Sequence, residues 1–452
     1  MSGRNRRGRD AMGVGLAALN RLSSIPAIDK LKLRKPLERA VFEGSRSGFR
    51  AVGAANRTFT AVQKRNKPAR PTSAAGRELF DLTPDDEQQM IADATREFAL
   101  EQLRPAATDA DAACETPAEL LKRSVVELGV ASVGVPAELG GLGTERSAVT
   151  GVLVAEALSY GDMGMAVACL APAGVSNALT LWGDEDQQAT YLPAFVGDNV
   201  PAAALAVNEP TPLFDPFALT TTATRSGGGF TLNGVKSLVP RAATAELFVV
   251  AASLEGAPTL FLLESGTSGV LIEAEPAMGV RAASTGSLIL ENVSVPSGAL
   301  LGSGAGTRSG RELPSADVYA DCIRLSRIGW AALACGAGKA VLDYVIPYVN
   351  DRTAFGEPIS NRQAVAFMVA NIGIELEGAR LATLRAASRA EQGLPFAREA
   401  GIARKLTADY GMQIGSSGVQ LLGGHGYVKE HPVERWYRDL RAAAVMEGVV
   451  LV

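Results

Sequence analysis

Gln420-Leu421-Leu422-Gly423-Gly424-His425-Gly426-Tyr427, followed by Pro432-Val433-Glu434-Arg435, Tyr437-Arg438-Asp439 and Met446-Glu447-Gly448, is the stretch from which the fold of this 452-residue chain is read. Its clustered glycines let backbone approach another group closely, which a residue carrying a Cβ cannot do without a clash. An ordinary interhelical turn is the plainer reading of the same residues. The chain's only two histidines, His425 and His431, fall here, so histidine triads and His-rich metal sites have almost no material to work with. His425 reads as a turn or surface residue. Taken by position alone, Glu447 is an exposed acid at a helix end.

Working back from this stretch, long Ala-rich helical segments reach to about residue 303. Between residues 201 and 302, β-branched and apolar runs (Phe230–Leu232, Leu247–Val250, Leu260–Leu263, Leu288–Leu290) alternate with turns such as Ser226-Gly227-Gly228-Gly229 and Asn233-Gly234. That is the pattern of a small all-β domain. Residues 78–200 are helical again, with a helix start at Thr83-Pro84-Asp85-Asp86 that predicts Thr83 as N-cap. The coarse plan is α+β: an arm and linker (1–77), a helical domain (78–200), a β domain (201–302) and a second helical domain (303–452).

Charge is distributed unevenly over this plan. Residues 1–70 hold 17 Lys or Arg against 4 Asp or Glu, whereas the whole chain has a net charge of −4. A basic arm on an acidic body speaks to partners and not to fold. Leu33, Leu37 and Val41 recur at helical spacing beside Arg34, Lys35 and Arg39, the pattern of a basic amphipathic helix on anionic lipid; a solvated extension is the alternative. The arm's Arg-rich, acid-poor composition also suits an organellar presequence. No run approaches about twenty uninterrupted apolar residues. The four scattered cysteines favour a reducing compartment, cytoplasmic or, in a eukaryotic cell, mitochondrial.

The order of these segments resembles the acyl-CoA dehydrogenase family, and local matches follow the family's order over residues 82–448. Glu127-Leu128-Gly129, Val135-Pro136 and Gly140-Gly141-Leu142-Gly143 match its early run. Leu232-Asn233-Gly234-Val235-Lys236 and Val293-Ser294-Val295-Pro296 match its middle segments. Asp351-Arg352-Thr353-Ala354-Phe355-Gly356 with Gln363, and the opening stretch, match its C-terminal ones. The resemblance implies a helical N-terminal domain, a central β-barrel-like domain and a C-terminal four-helix bundle.

It also implies chemistry. The family desaturates acyl-CoA thioesters with a carboxylate that takes the α-proton and FAD that takes the β-hydride, and Glu447 stands at the base's position. Arg352, Phe355, Gln363, Gln420, Gly423, Gly424, Val207 and Asn208 match FAD-contacting positions, and Arg327 and Gly448 match positions near the thioester. Ser326 stands where some members carry an alternative base. The implied partners are an acyl-CoA, an electron-transfer flavoprotein and further subunits of a homo- or hetero-oligomer; nucleic acid is not among them.

This chain departs from the family pattern in its β domain. Asn208-Glu209-Pro210 leads into Leu213-Phe214 where the family has Gly-Ser, and Pro240 replaces a Thr beside the flavin. These departures leave open a half-competent or non-catalytic subunit, or a membrane-associated scaffold.

Overall fold

The computed structural model describes residues 82–452 except 142–145, 303–306, 309–310 and 313–314. The basic arm, its Leu33/Leu37/Val41 face, and Leu142-Gly143 of the early run therefore lie outside the described residues. Six helices lead: α1 (Asp86–Phe98), α2 (Arg104–Ala113), α3 (Ala118–Leu128), α4 (Ala148–Gly161), α5 (Met163–Trp182) and α6 (Glu185–Tyr191). Helix α1 begins later than predicted. Asp85, not Thr83, is the N-cap: its carboxylate accepts from the Gln88 N–H while Gln88 Oε1 accepts from the Asp85 N–H. This reciprocal box satisfies two otherwise orphaned donors, which a hydroxyl two residues earlier cannot do.

Helix α5 is twenty residues long and carries no charged side chain; it and the later helix at Ala316–Asp351 are long and apolar enough to cross a membrane by length and composition. Burial accounts for α5. Every α5 residue except Thr180 and Leu181 is buried within the protein, as befits a helix that is apolar all round.

Seven strands then form one curled sheet: β1 (Ala203–Ala206), β2 (Thr222–Ser226), β3 (Gly229–Val239), β4 (Leu247–Leu254), β5 (Ala257–Glu264), β6 (Val270–Ala274) and β7 (Gly286–Pro296). The order runs β1-β4-β2-β3-β7-β6, with β5 also on β4. Strand β4 is buried on both faces, and its period-two alternation divides the interior. Leu247, Val249 and Ala251 join the main helical core; Phe248, Val250 and Ala252 join a second core within the sheet. The predicted turn at Asn233-Gly234 is instead a bulge inside β3. A Cβ on Gly234 would lie 2.6–2.8 Å from Thr221, so glycine there admits a crossing backbone instead of reversing the chain.

The last part comprises α7 (Ser315–Asp351), α8 (Gln363–Glu391), α9 (Ala397–Leu422) and the short α10 (Val433–Leu440) and α11 (Ala442–Val445). Helix α7 packs on α9 and α8 and also on α4, tying the two helical parts together. The Arg435/Arg438/Asp439 motif of α10 is a clamp between parts. Arg438 Nη1 and Nη2 each meet a carboxylate oxygen of Asp111 at 2.8 Å, Arg435 pairs with Asp162 at 3.2 Å, and Asp439 accepts from the Val280 N–H at 2.6 Å.

Candidate active site

Glu447 lies on the short segment that follows α11, and it is buried rather than exposed at a helix end. Its carboxylate meets Arg327 of α7 side-on: Nη2 lies 2.8 Å from Oε1, and Nε lies 3.1 Å from Oε1 and 3.0 Å from Oε2. Arg404 of α9 adds a third contact to Oε1 at 3.4 Å. Burial pushes the Arg404 guanidinium below its ordinary value, while the charge of Glu447 opposes that shift. Two guanidinium groups thus compensate one carboxylate from which water is largely excluded. Oε1 is the crowded oxygen and Oε2 the freer one.

The backbone around Glu447 is fixed from both sides. Asn208, just after β1, accepts from the Glu447 N–H (2.8 Å) and donates through Nδ2 to the Val445 carbonyl (3.1 Å). From α7, Ser326 Oγ and Trp330 Nε1 donate to the Gly448 carbonyl, the latter at 2.9 Å. Gly448 has a φ of +72°, and a Cβ there would stand 2.5 Å from Val207 Cγ2, so no other residue fits without a shift. Val207 and Asn208, matched above to cofactor positions, therefore face the segment that carries the acid.

Behind Asn208 sits a fully buried ion pair, Lys236 Nζ to Glu209 Oε1 at 2.8 Å. Glu209 also accepts from the Thr220 N–H and hydroxyl and from the Thr221 N–H. Burial pushes this carboxyl up, but the Lys236 charge and these donors prevail and hold it at about 2. Next along β3, Leu238 adopts a φ of +54° at a second bulge, and its N–H donates to Glu275 at 2.8 Å. Pro240 is buried and has no donor to offer. Leu213 is fully exposed, while Phe214 packs against the main core.

A separate group of the sequence-derived residues meets elsewhere. Arg352, Phe355, Gln420, Gly423 and Gly424 line one open cleft of about 600 Å³, together with Tyr348 and His425. Gln363 opens α8 beside it, next to Ala364 and Val365 of the lining. Added Cβ atoms at Gly423 and Gly424 would meet nothing within 4 Å, so bare backbone fronts the cleft. Arg352 is exposed and makes no ion pair among the described residues. A free guanidinium above bare glycine backbone suits two phosphate oxygens, so this cleft fits the diphosphate half of FAD. His425 lies at the cleft and stacks on His431 with ring centroids 5.6 Å apart; Tyr348 Oη lies 3.1 Å from His425 Nδ1.

Sequence reasoning missed Arg404, Trp330 and the Glu209–Lys236 pair. Ser326, which has no carboxylate to act as an alternative base, supports through its hydroxyl the Gly448 carbonyl next to Glu447.

Comparison with known proteins identifies the family. Family models of the acyl-CoA dehydrogenase N-terminal, middle and C-terminal domains match residues 85–198, 204–293 and 316–450. The short/branched chain specific acyl-CoA dehydrogenase of Rattus norvegicus mitochondria is 34% identical over 372 residues, 80% of this chain and 83% of that protein. An acyl-CoA dehydrogenase of Bacillus subtilis is 30% identical over 80% of this chain and 94% of its own length. Butyryl-CoA dehydrogenase from Megasphaera elsdenii superposes with a TM-score of 0.72 at 28% identity, covering 81% of this chain and 95% of that one. A chain from a study of the electron transferring flavoprotein of Acidaminococcus fermentans gives 0.72 at 30% identity, covering 81% and 96%. The chain belongs to the acyl-CoA dehydrogenase family, FAD-dependent oxidoreductases acting on the CH–CH bond of acyl-CoA thioesters.

Proposed function

We propose that this protein desaturates an acyl-CoA thioester with Glu447 as the base that removes the α-proton. The observation that carries the reading is the buried Glu447 carboxylate, fixed through its backbone by Asn208 and compensated by Arg327 and Arg404. Oε2 accepts the proton, because Oε1 is engaged by both guanidinium groups. A carboxylate fixed within reach of an α-carbon can serve as the general base. Arg327, partly exposed, lies on the side from which the thioester arrives. FAD, when bound, supplies the acceptor for the β-hydride. An electron-transfer flavoprotein would be the partner that takes the electrons away.

Arg352 and the glycine-fronted cleft hold the cofactor's diphosphate, and they serve a neighbouring subunit's flavin. Arg327 lies on α7 and Arg352 just past its C-terminal end, 25 positions on, about 37 Å at the α-helical rise, too far for one dinucleotide. A second copy also accounts for the apolar surface nearby: Phe355 is 95% exposed, and Phe367, Ile374 and Leu381 recur every seven residues along α8 with their side chains in solvent.

The half-competent reading draws on Pro240, which offers no donor, and on Asn208, whose side chain is spent on the Glu447 segment. Glu447→Gln separates the two. It should abolish most acyl-CoA oxidation with flavin content unchanged. Turnover near the wild-type rate would sink the assignment of Glu447, and wild-type protein that holds FAD yet oxidises no thioester would favour the half-competent subunit.

A further inference from the structure

Beyond Glu447 the chain turns inward. Gly448 and Val449 have φ values of +72° and +74°, and for a β-branched residue this left-handed backbone is an outlier. Such strain persists only where the surroundings over-determine it. Here they do. Val449, Val450, Leu451 and Val452 are all buried, and three glycines on three helices clear their path. A Cβ on Gly174 of α5 would stand 2.3 Å from the Val449 carbonyl oxygen, one on Gly329 of α7 2.5 Å from that of Val450, and one on Gly151 of α4 3.0 Å from Val452 Cα. Asn177 Nδ2 donates to the Leu451 carbonyl at 2.8 Å. The segment lies in a built groove.

Its position relative to the base gives it a use. Exposure falls from Arg327 (25%) to Glu447 (6%) to the buried valines. A thioester whose α-carbon meets Glu447 from the Arg327 side must send its acyl chain onward into apolar protein. Next in line lie Leu205 of β1, Val207 just after it, Gly174 of α5 and Gly329 of α7; the Val449 backbone closes on Gly174, the Val450 backbone and Cγ1 close on Gly329, and Leu451 is buried in the same core.

We propose that Val449–Leu451 form the floor of the acyl chamber and confine the enzyme to short acyl thioesters. The inference rests on the assignment of Glu447 as the base. A further cavity of about 60 Å³ lies beside Val450, Leu451 and Val452, walled by α4 and α5. Trimming the floor would join that space to the chamber.

The test uses the full chain with its FAD and a series of butyryl-, hexanoyl-, octanoyl- and decanoyl-CoA. The wild type should lose kcat/KM steeply beyond butyryl or hexanoyl. Leu451→Ala and Val449→Ala should raise the octanoyl-to-butyryl ratio by about fourfold for each further methylene admitted. Equal use of short and long chains by the wild type would overturn the floor, as would an unchanged ratio in both alanine variants that still oxidise butyryl-CoA. So would octanoyl-CoA that binds tightly while raising hydrogen exchange across residues 446–452, since the segment would then be displaced. Calorimetric binding of the same thioesters to Glu447→Gln keeps the two assignments apart. A chain-length break that survives there supports the floor whatever becomes of the base, and its absence there overturns the floor.

Discussion

Asn208 and Glu447 are 239 residues apart in sequence, yet the Asn208 side chain accepts from the Glu447 N–H at 2.8 Å. Through Nδ2 it also holds the Val445 carbonyl, so one amide spans the segment on both sides of Met446. The acid's position is set by a residue at the edge of the β sheet, not by the helix before it.

Asn208→Ala should therefore act on the chemical step. It removes two hydrogen bonds, each worth about 0.5–1.5 kcal/mol net, and frees the segment to shift. A displacement on the order of 1 Å at a reacting group can cost roughly a hundredfold. Steady-state kinetics should show kcat down by about ten- to a hundredfold with KM changed little. A variant with intact kcat and raised KM would show instead that Asn208 serves substrate binding alone.

Arg327 should not tolerate lysine. Its Nε and Nη2 lie against both oxygens of Glu447, an arrangement that a single ammonium cannot reproduce. Arg327→Lys and Arg327→Ala should both lower kcat/KM, by about ten- to a hundredfold, or roughly 1.4–2.7 kcal/mol in the transition state. Full activity in Arg327→Lys would reduce the role of Arg327 to its charge.

The architecture was legible because it rests on local signals. Period-two runs such as Leu247–Val250 mark strands, Ala-rich stretches mark α7 to α9, and the ordered motifs from Asp351 to Gly448 mark the two clusters. What was not legible depends on tertiary approach. Arg404 reaches Glu447 across 43 positions, and Ser326 reaches Gly448 across 122; neither separation leaves a trace in periodicity or spacing. Asn233-Gly234 misled for a related reason. Its glycine answers a neighbouring strand's backbone at Thr221, which the chain's local chemistry does not reveal.

The Glu209–Lys236 pair makes a prediction in pH. Because the folded carboxyl is held at about 2 and an unfolded glutamate titrates at about 4.3, the unfolded state binds more protons between those values. Stability from this group is full above about pH 4.3 and is lost as pH falls toward 2. Glu209→Gln leaves Lys236 buried without its counter-charge, a loss of about 3–5 kcal/mol at neutral pH. Denaturant titrations of the two proteins should differ by that amount at pH 7, begin to approach one another below about pH 4.3 and converge only toward pH 2. A gap that stays constant down to pH 3 would mean the carboxylate charge is not what stabilises this turn.

The last prediction concerns the cleft at Arg352. If this cleft cradles the diphosphate of a flavin whose ring lies in another subunit, cofactor retention and assembly are linked quantities. Arg352→Gln keeps the shape of the side chain while removing the charge that meets the phosphates, and loss of one charge-assisted contact costs about 1.5–3 kcal/mol, roughly ten- to a hundredfold in affinity. The purified variant should carry less FAD per chain, read from its absorbance, and should recover it when excess FAD is added. Dilution of the wild type should release FAD over the same concentration range in which light scattering reports dissociation into single chains. Phe367→Glu, on the exposed face of α8, should move both transitions together to higher protein concentration. FAD held stoichiometrically by isolated single chains would refute the shared cleft and place the whole cofactor within one subunit.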